Sequence, residues 1–368
     1  MPYFAALHLS FQLLPVNSLS PSPLLPFLYC IKLVPATQGR EIYIGIVDMA
    51  SILLISSLLL VLELCSEIKS YKLEQHKGEW CYQSQLSCQD TCRGPSEWKS
   101  QFPNCGGQRQ SPINIVTRKV KHEPKLTSFI FDGHEKVFNM SVENHGHSAH
   151  FTLPQFVRLR GGGLQDTYKA VQFHLHWGED GGQGSEHSVD GEQYPMELHI
   201  VHIKEKYASL GDALSDSEGV AALAFFFEVT SFPNKQLDRV IDALGKVRYE
   251  GNSSEIKDFK LTDILPQANK LSYYRYLGSL TTPGCEQAVV WTVFQKTLPI
   301  SKNQLMSMDK QLLFGTEKPM TGVFRPVQNL NGRVVYTSVP AHSLCVLPSL
   351  ITLFLCLFCV FGQQKCFH

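Results

Sequence analysis

Two short segments hold the side chains best suited to chemistry. "QFHLHWG" (172–178) places His174 and His176 one residue apart, and "ELHIVHI" (197–203) contains Glu197, His199 and His202. Histidines at i and i+2 face the same way only on a β-strand, where side chains alternate with period two. In the first segment Phe173, Leu175 and Trp177 take one face, and Gln172, His174 and His176 the other. In the second, Glu197, His199 and Val201 share a face. If the two strands pair antiparallel, His199 adds a third imidazole. Three neutral imidazoles leave the fourth tetrahedral position of zinc to water, which is the catalytic rather than the structural arrangement. The cation then draws the pKa of that water towards neutrality.

The competing reading is a pair of polar residues on a solvent-washed strand. Glu197 weighs against it, because an acid two residues before a ligand histidine can orient the ring. Other zinc hydrolases fit less well. The HxHxDH pattern is absent, since Trp177 and Gly178 follow His176, and the Lys and Asp of a barrel amidohydrolase have no place in a pattern of strands.

Strands must position these residues. "SAHFTLP" (148–154), "AVQFHLHWG" (170–178), "MELHIVHIK" (196–204), "VAALAFFFEV" (220–229), "QAVVWTVFQ" (287–295) and "GRVVYTS" (332–338) read as strands, with breaks such as "RGGGLQD", "GEDGGQG" and "TTPGC" between them. Helical patterning is best at 234–247 and 301–313. The middle of the chain is a predominantly β, single domain with a few peripheral helices. Net charge is zero over 368 residues, so there is no electrostatic case for nucleic acid. The basic run "RKVKHEPK" (118–125) reads as a solvated loop.

The ends differ from the middle. Residues 52–62, "ILLISSLLLVL", suit the core of a signal peptide over 49–70 beginning at Met49. Residues 1–48, interrupted by Pro15, Pro21, Pro23, Pro26 and Pro35, read as an upstream extension or a mis-assigned start. Residues 344–361 are uncharged and apolar. They suit either the tail of a glycosylphosphatidylinositol signal or a minimal transmembrane helix within 339–368, with Ser338, Ala341 and Ser343 as small attachment candidates. Five cysteines lie between the ends: Cys81, Cys88, Cys92, Cys105 and Cys285. A secretory signal makes disulfides the expectation, and the sequons at Asn139 and Asn252 suit the same compartment.

The wider pattern resembles the α-class carbonic anhydrases. "SPINI" (111–115), "QFHLHWG", "GSEHSVDG" (184–191), "ELHIVHI", "YLGSLTTPGCEQAVVWTVF" (276–294) and "FRPVQNLNGRVV" (324–335) occur in that family's order, so the resemblance covers about 79–338. The cysteine-rich start, the cysteines of "PNCGG" and "TTPGC" and the apolar tail are most similar to the membrane-anchored isoform IV branch. The resemblance implies a large, twisted, mostly antiparallel central sheet with short helices around it. It implies a zinc enzyme that hydrates CO2 reversibly to bicarbonate and a proton, through zinc hydroxide, at the extracellular membrane surface.

Residue by residue, it makes His174, His176 and His199 the zinc ligands. Gln172 would accept from His174, Glu197 from His199, and the carbonyl of Val323 from His176, with His187 and His202 structural. Thr281 would donate to Glu186 and orient the hydroxide, and Thr282 would help hold bicarbonate. Val201, Leu280, Val289 and Trp291 would form the apolar wall for CO2, with Ala222 where the family commonly carries valine. "ENHGHSAH" places His147 at the proton-shuttle position. It departs from the family at His145 and adds His150, with Asn144 and Tyr82 as further polar lining. Cys105 would pair with Cys285, and Cys81 with Cys92 or Cys88, Cys92 being preferred. The rival of another class, a binding or adhesion domain of the same fold, typically lacks a metal histidine; here all three are present.

Overall fold

The computed structural model describes residues 10–15, 29–34, 42–47, 57, 61, 80–86, 92–265 and 270–340. The chain divides into two units, residues 1–79 and 80–368. In the first, β1 (Ser10–Pro15), β2 (Tyr29–Val34) and β3 (Ile42–Val47) form a three-stranded antiparallel sheet. Apart from Ser57 and Val61, the expected signal segment lies outside the described residues, as do Cys88 and the apolar tail from 341 onward.

The second unit is built on strands. In chain order they are β4 (Asn114–Ile115), β5 (Lys121–His122), β6 (Phe129–Asp132), β7 (Phe138–Asn144), β8 (Ala149–Thr152), β9 (Arg158–Gly161) and β10 (Tyr168–Trp177). There follow β11 (Ser188–Val189), β12 (Glu192–Gln193), β13 (Met196–Lys204), β14 (Val220–Thr230), β15 (Ser253–Phe259), β16 (Tyr273–Gly278), β17 (Val289–Ser301) and β18 (Tyr336–Thr337). Twelve of these form one sheet in the order β15-β7-β8-β10-β13-β14-β17-β16-β18-β5, with β9 pairing β10 and β6. Pairing is antiparallel except between β14 and β17 and between β18 and β5. The fold is therefore the large, mixed, mostly antiparallel sheet that the family resemblance implies.

Position in the sheet follows composition. Every residue of β13 is buried, as expected for a strand covered on both faces. The two faces bury different sets. Phe173, Leu175 and Trp177 of β10 pack with Leu198 and Ile200 of β13 in the larger apolar cluster. Val201 joins Ala222, Val289 and Trp291 in a second one. The helix Lys235–Leu244 buries Leu237, Val240, Ile241 and Leu244, an i, i+3, i+4, i+7 stripe, and Asn234 accepts from the Gln236 N–H at its start. Ser301 and Gln304 form a capping box on the helix Lys302–Gln311.

Two sequence expectations change. "GRVVYTS" is strand only at Tyr336–Thr337, because Arg333 donates to the carbonyls of Leu330, Leu277, Gln110 and Asn329 and holds its segment as a turn. β6, β7, β9, β15 and β16 and the two-residue strands β4, β5, β11 and β12 were not anticipated, β5 lying within the run 118–125 read as a loop, although β7 alternates buried and exposed residues along its whole length.

Cys81 is bridged to Cys92 and Cys105 to Cys285. The second bridge spans 180 residues and ends in a turn where Gly284 and Cys285 take φ of 81° and 51°. A cysteine in that left-handed region is held there by its surroundings. Replacing both Cys105 and Cys285 by serine is expected to lower unfolding free energy by about 2–5 kcal/mol, as for removal of native bridges closing long loops. Denaturant unfolding under non-reducing conditions measures this. An unchanged midpoint would mean that the bridge contributes nothing to the folded unit.

Candidate metal centre

β10 and β13 pair antiparallel with His174 opposite His199 and His176 opposite Glu197. Directly opposed side chains on one sheet face have Cβ atoms about 4.5–5.5 Å apart, so the register alone brings three imidazoles together. Ligand nitrogens of His174, His176 and His199 all lie within 4.8 Å of one another, and this group could hold a metal ion. His176 Nε2 is 3.0 Å from His199 Nδ1, close to the roughly 3.3 Å edge of a tetrahedron with zinc–nitrogen bonds of about 2.0–2.1 Å.

Each ring is fixed by its other nitrogen. His174 Nδ1 is 2.8 Å from Gln172 Oε1, His176 Nδ1 is 2.7 Å from the Val323 carbonyl, and His199 Nε2 is 2.7 Å from Glu197 Oε1. These acceptors put the proton on the outer nitrogen and turn a lone pair inward. Burial, reinforced by the neighbouring imidazoles, pushes His174 well below the ordinary histidine range. Burial also lowers His176, against the pull of Glu186. Neutral imidazole is the form that binds metal, so the residues fit a zinc ion.

Glu197 is the hub behind them. Oε1 accepts from His187 Nδ1 and His199 Nε2, each at 2.7 Å, and Oε2 accepts from the backbone N–H of Glu186 and of His187. Burial works to raise this carboxyl, but the two histidines hold it well below the usual carboxylate range. His187 Nε2 lies 2.7 Å from the Tyr276 hydroxyl, itself 2.9 Å from Ser111 Oγ. His187, Glu197 and His199 also cluster closely enough to hold a metal. However, four hydrogen bonds already occupy the carboxylate, which favours the three-histidine group.

Glu186 departs from expectation. Its Oε1 accepts from the Arg325 N–H, while Oε2 is buried without a hydrogen-bond partner, 3.5 Å from His176 Nε2. The expected bond from the Thr281 hydroxyl is not formed. Oε1 is committed to the Arg325 backbone, and the free oxygen faces the histidines. A buried unpaired carboxylate oxygen is unfavourable, so this atom is aimed where a donor or a cation would satisfy it.

A cavity of about 120 Å³ opens over the three histidines. Val201, Ala222, Leu280, Val289 and Trp291 line it together with Thr281 and Thr282. Leu210 and Val220 also line it and were not anticipated; Leu210 stands in a short helix that no strand pattern signals. The loop carrying Thr281 is tied by Leu280 N–H to Glu286 O, by Cys285 N–H to Thr282 O and by Ser279 N–H to Ser111 Oγ. Burial, with Glu186 nearby, raises Tyr82 well above the ordinary phenol range, so it stays protonated in the wall.

The extra histidines sort by position. His150 lines the cavity, its ring centroid 5.4 Å from that of His174, and burial beside His145 and His176 lowers it to about 4. His145 is exposed, its centroid 4.6 Å from that of His150. His147 is outside the cavity lining. It stacks on Trp80 at 4.0 Å, with Nε2 3.0 Å from the Trp80 carbonyl. The Asn144 side chain is buried in backbone contacts rather than in the cavity wall. His202 is fully buried on the other face, and burial lowers it to about 3. Asn139 and Asn252 are exposed.

Comparison with known proteins agrees with this geometry. The family model for eukaryotic-type carbonic anhydrase matches residues 93–339. The chain is 39% identical over 278 residues to carbonic anhydrase 4 of Rattus norvegicus, covering 74% of this chain and 88% of that one. It is 38% identical to carbonic anhydrase 15 of Mus musculus (79% and 92% covered) and 37% identical to carbonic anhydrase 12 of Homo sapiens (68% and 73% covered).

Glu197→Gln keeps the shape of the hub but cannot accept from all four donors. Zinc affinity measured by chelator competition is expected to fall about 10–100-fold, the usual effect of losing a partner that orients a ligand. Unchanged affinity would mean that Glu197 does not set the ring of His199.

Proposed function

The chain belongs to the eukaryotic-type carbonic anhydrase family and so is a carbonate dehydratase; from that premise we propose a zinc enzyme hydrating CO2 at an extracellular membrane surface, with His174, His176 and His199 as ligands and His147 as proton carrier. The observation that carries the reading is the convergence of three inward ring nitrogens, each with its outer nitrogen engaged by a separate acceptor. When bound, zinc supplies a nucleophile at neutral pH by lowering the pKa of its water.

The protein supplies position and a dry wall. Val201, Val289, Leu280 and Trp291 hold an apolar, uncharged substrate beside the histidines, and Ala222, packed between Val201 and Trp291 across the sheet, leaves room there. The Thr281 hydroxyl has one proton to give. Donated to Glu186 Oε2, it would satisfy that orphaned acceptor and turn the hydroxyl lone pairs into the cavity, next to Thr282 as the bicarbonate contact.

For the proton, His147 is preferred over His150. An imidazole lowered to about 4 is neutral at physiological pH and a poor carrier there. His147, partly exposed against Trp80, is the release end of the route.

Location rests on other features. The two bridges suit an oxidising compartment, and exposed Asn139 and Asn252 suit glycosylation. Among the described residues no helix is long and apolar enough to cross a membrane. We assign anchoring to the apolar run 344–361, as a glycosylphosphatidylinositol signal in preference to a transmembrane helix. Release from cells by a phosphatidylinositol-specific phospholipase is the expected result, and retention would favour the helix.

Stripping the metal with a chelator is expected to abolish CO2-driven acidification, with recovery on adding zinc. Full activity of metal-free protein would overturn the zinc reading. His147→Ala is expected to slow turnover in dilute buffer, towards the lower end of the roughly 10²–10⁴-fold that positioned proton transfer contributes. Added imidazole should restore the rate; no rescue would move the role to His145.

A further inference from the structure

The catalytic cavity uses one face of the strands that build it. Along β17, Val289 and Trp291 line that cavity, while Val290 between them lines a second one of about 550 Å³. Period-two alternation requires the division, since neighbours in a strand project to opposite faces. On β16, Arg275 and Leu277 share the second face, opposite Thr292 and Val290.

The second cavity is cationic and incompletely neutralised. Arg109, Lys125, Arg275 and Arg333 line it, against Glu123 and Glu218. Among the described ion pairs none involves any of the four cations. Glu123 is turned to its own loop, accepting from the Lys125 backbone N–H. Arg333 is occupied by backbone carbonyls.

Arg275 is different. It is only 7% exposed, and its Nε and Nη2 donate to Thr292 Oγ1 and to the Gly162 carbonyl. No described hydrogen bond uses Nη1, and Arg275 lines the cavity. The rings of Phe129 and Tyr273 lie 5.8 and 5.6 Å from its guanidinium carbon. A buried guanidinium is unfavourable unless an anion compensates it. Burial lowers it to about 10, against the pull of Tyr273, Tyr168 and Glu218, none of which forms a direct ion pair with it, so it stays charged at neutral pH.

We propose that this cavity binds a small organic carboxylate, its carboxyl group taken by Arg275 with Arg109 and Lys125 at the mouth, and its hydrocarbon body against Leu126, Leu277 and Val334. The guanidinium fork matches a planar carboxylate, and the volume lies within the roughly 300–1,000 Å³ of small-molecule sites. A bare inorganic anion would leave the apolar wall unused, and a polyanion would be opposed by Glu123 and Glu218. The site is separate from CO2 and bicarbonate, which belong to the opposite face.

The test is photolabelling of the zinc-loaded full chain with 4-benzoylbenzoate, followed by peptide mapping. Label is expected on segments 125–126, 163–165 or 334–336, with excess benzoate competing. The uncharged amide of the probe should label these segments roughly tenfold less, because a hydrogen-bonded charge is lost. Arg275→Gln should do the same, as should Arg109→Gln combined with Lys125→Gln, two changes at less buried positions, while CO2 hydration stays unchanged. Label confined to residues 201, 210 and 280–282 would overturn the proposal. So would equal labelling by the amide.

Discussion

A single buried carboxylate organises the centre. Glu197 sits at a position where ionisation alone would be unfavourable, yet it accepts four hydrogen bonds, two from imidazoles and two from successive backbone N–H groups. Those bonds do two things together. They fix the tautomer of His199, so that Nδ1 rather than Nε2 faces inward. They also clamp the segment carrying Glu186 and His187 onto β13, which places Glu186 Oε2 near the other ligand candidates. The first ring shell and its polar support are therefore one network, and a partly satisfied version of it would be worse than an apolar core.

The sheet makes that network affordable in an otherwise apolar interior. Alternation along β10 and β13 sends Phe173, Leu175, Leu198 and Ile200 to one cluster and the polar set to the other face. Val201 and Trp291 then bring apolar cover to within the same cavity as the histidines. Apolar side chains thus border the three histidines, and electrostatic interactions strengthen where water is excluded.

Much of this was legible in the sequence because period two is a local signal. His174 and His176 could be assigned to one face, and the strand at 196–204 was anticipated to its ends, from spacing alone; His199 joined them on condition of antiparallel pairing. Glu197 was legible for the same reason, two residues before the ring it orients, whereas the role of Gln172 came from the family resemblance. What spacing cannot carry is long-range backbone bonding. The Arg325 N–H that takes Glu186 Oε1 comes from 139 residues away, and nothing in "GSEHSVDG" signals that it leaves Oε2 unpartnered. Likewise the stacking of His147 on Trp80 joins residues 67 apart. Arg275 gave no signal in "YYRYLG", since its significance depends on the cavity that its face of β16 lines.

The proposed chemistry depends on the donor set at the three histidines. X-ray absorption at the zinc edge of the purified full chain tests it most directly. One zinc per chain is predicted, bound by three imidazole nitrogens and one further light atom at about 2.0–2.1 Å, with no sulfur. A thiolate scatterer near 2.3 Å, or four imidazoles with no position left open, would contradict it.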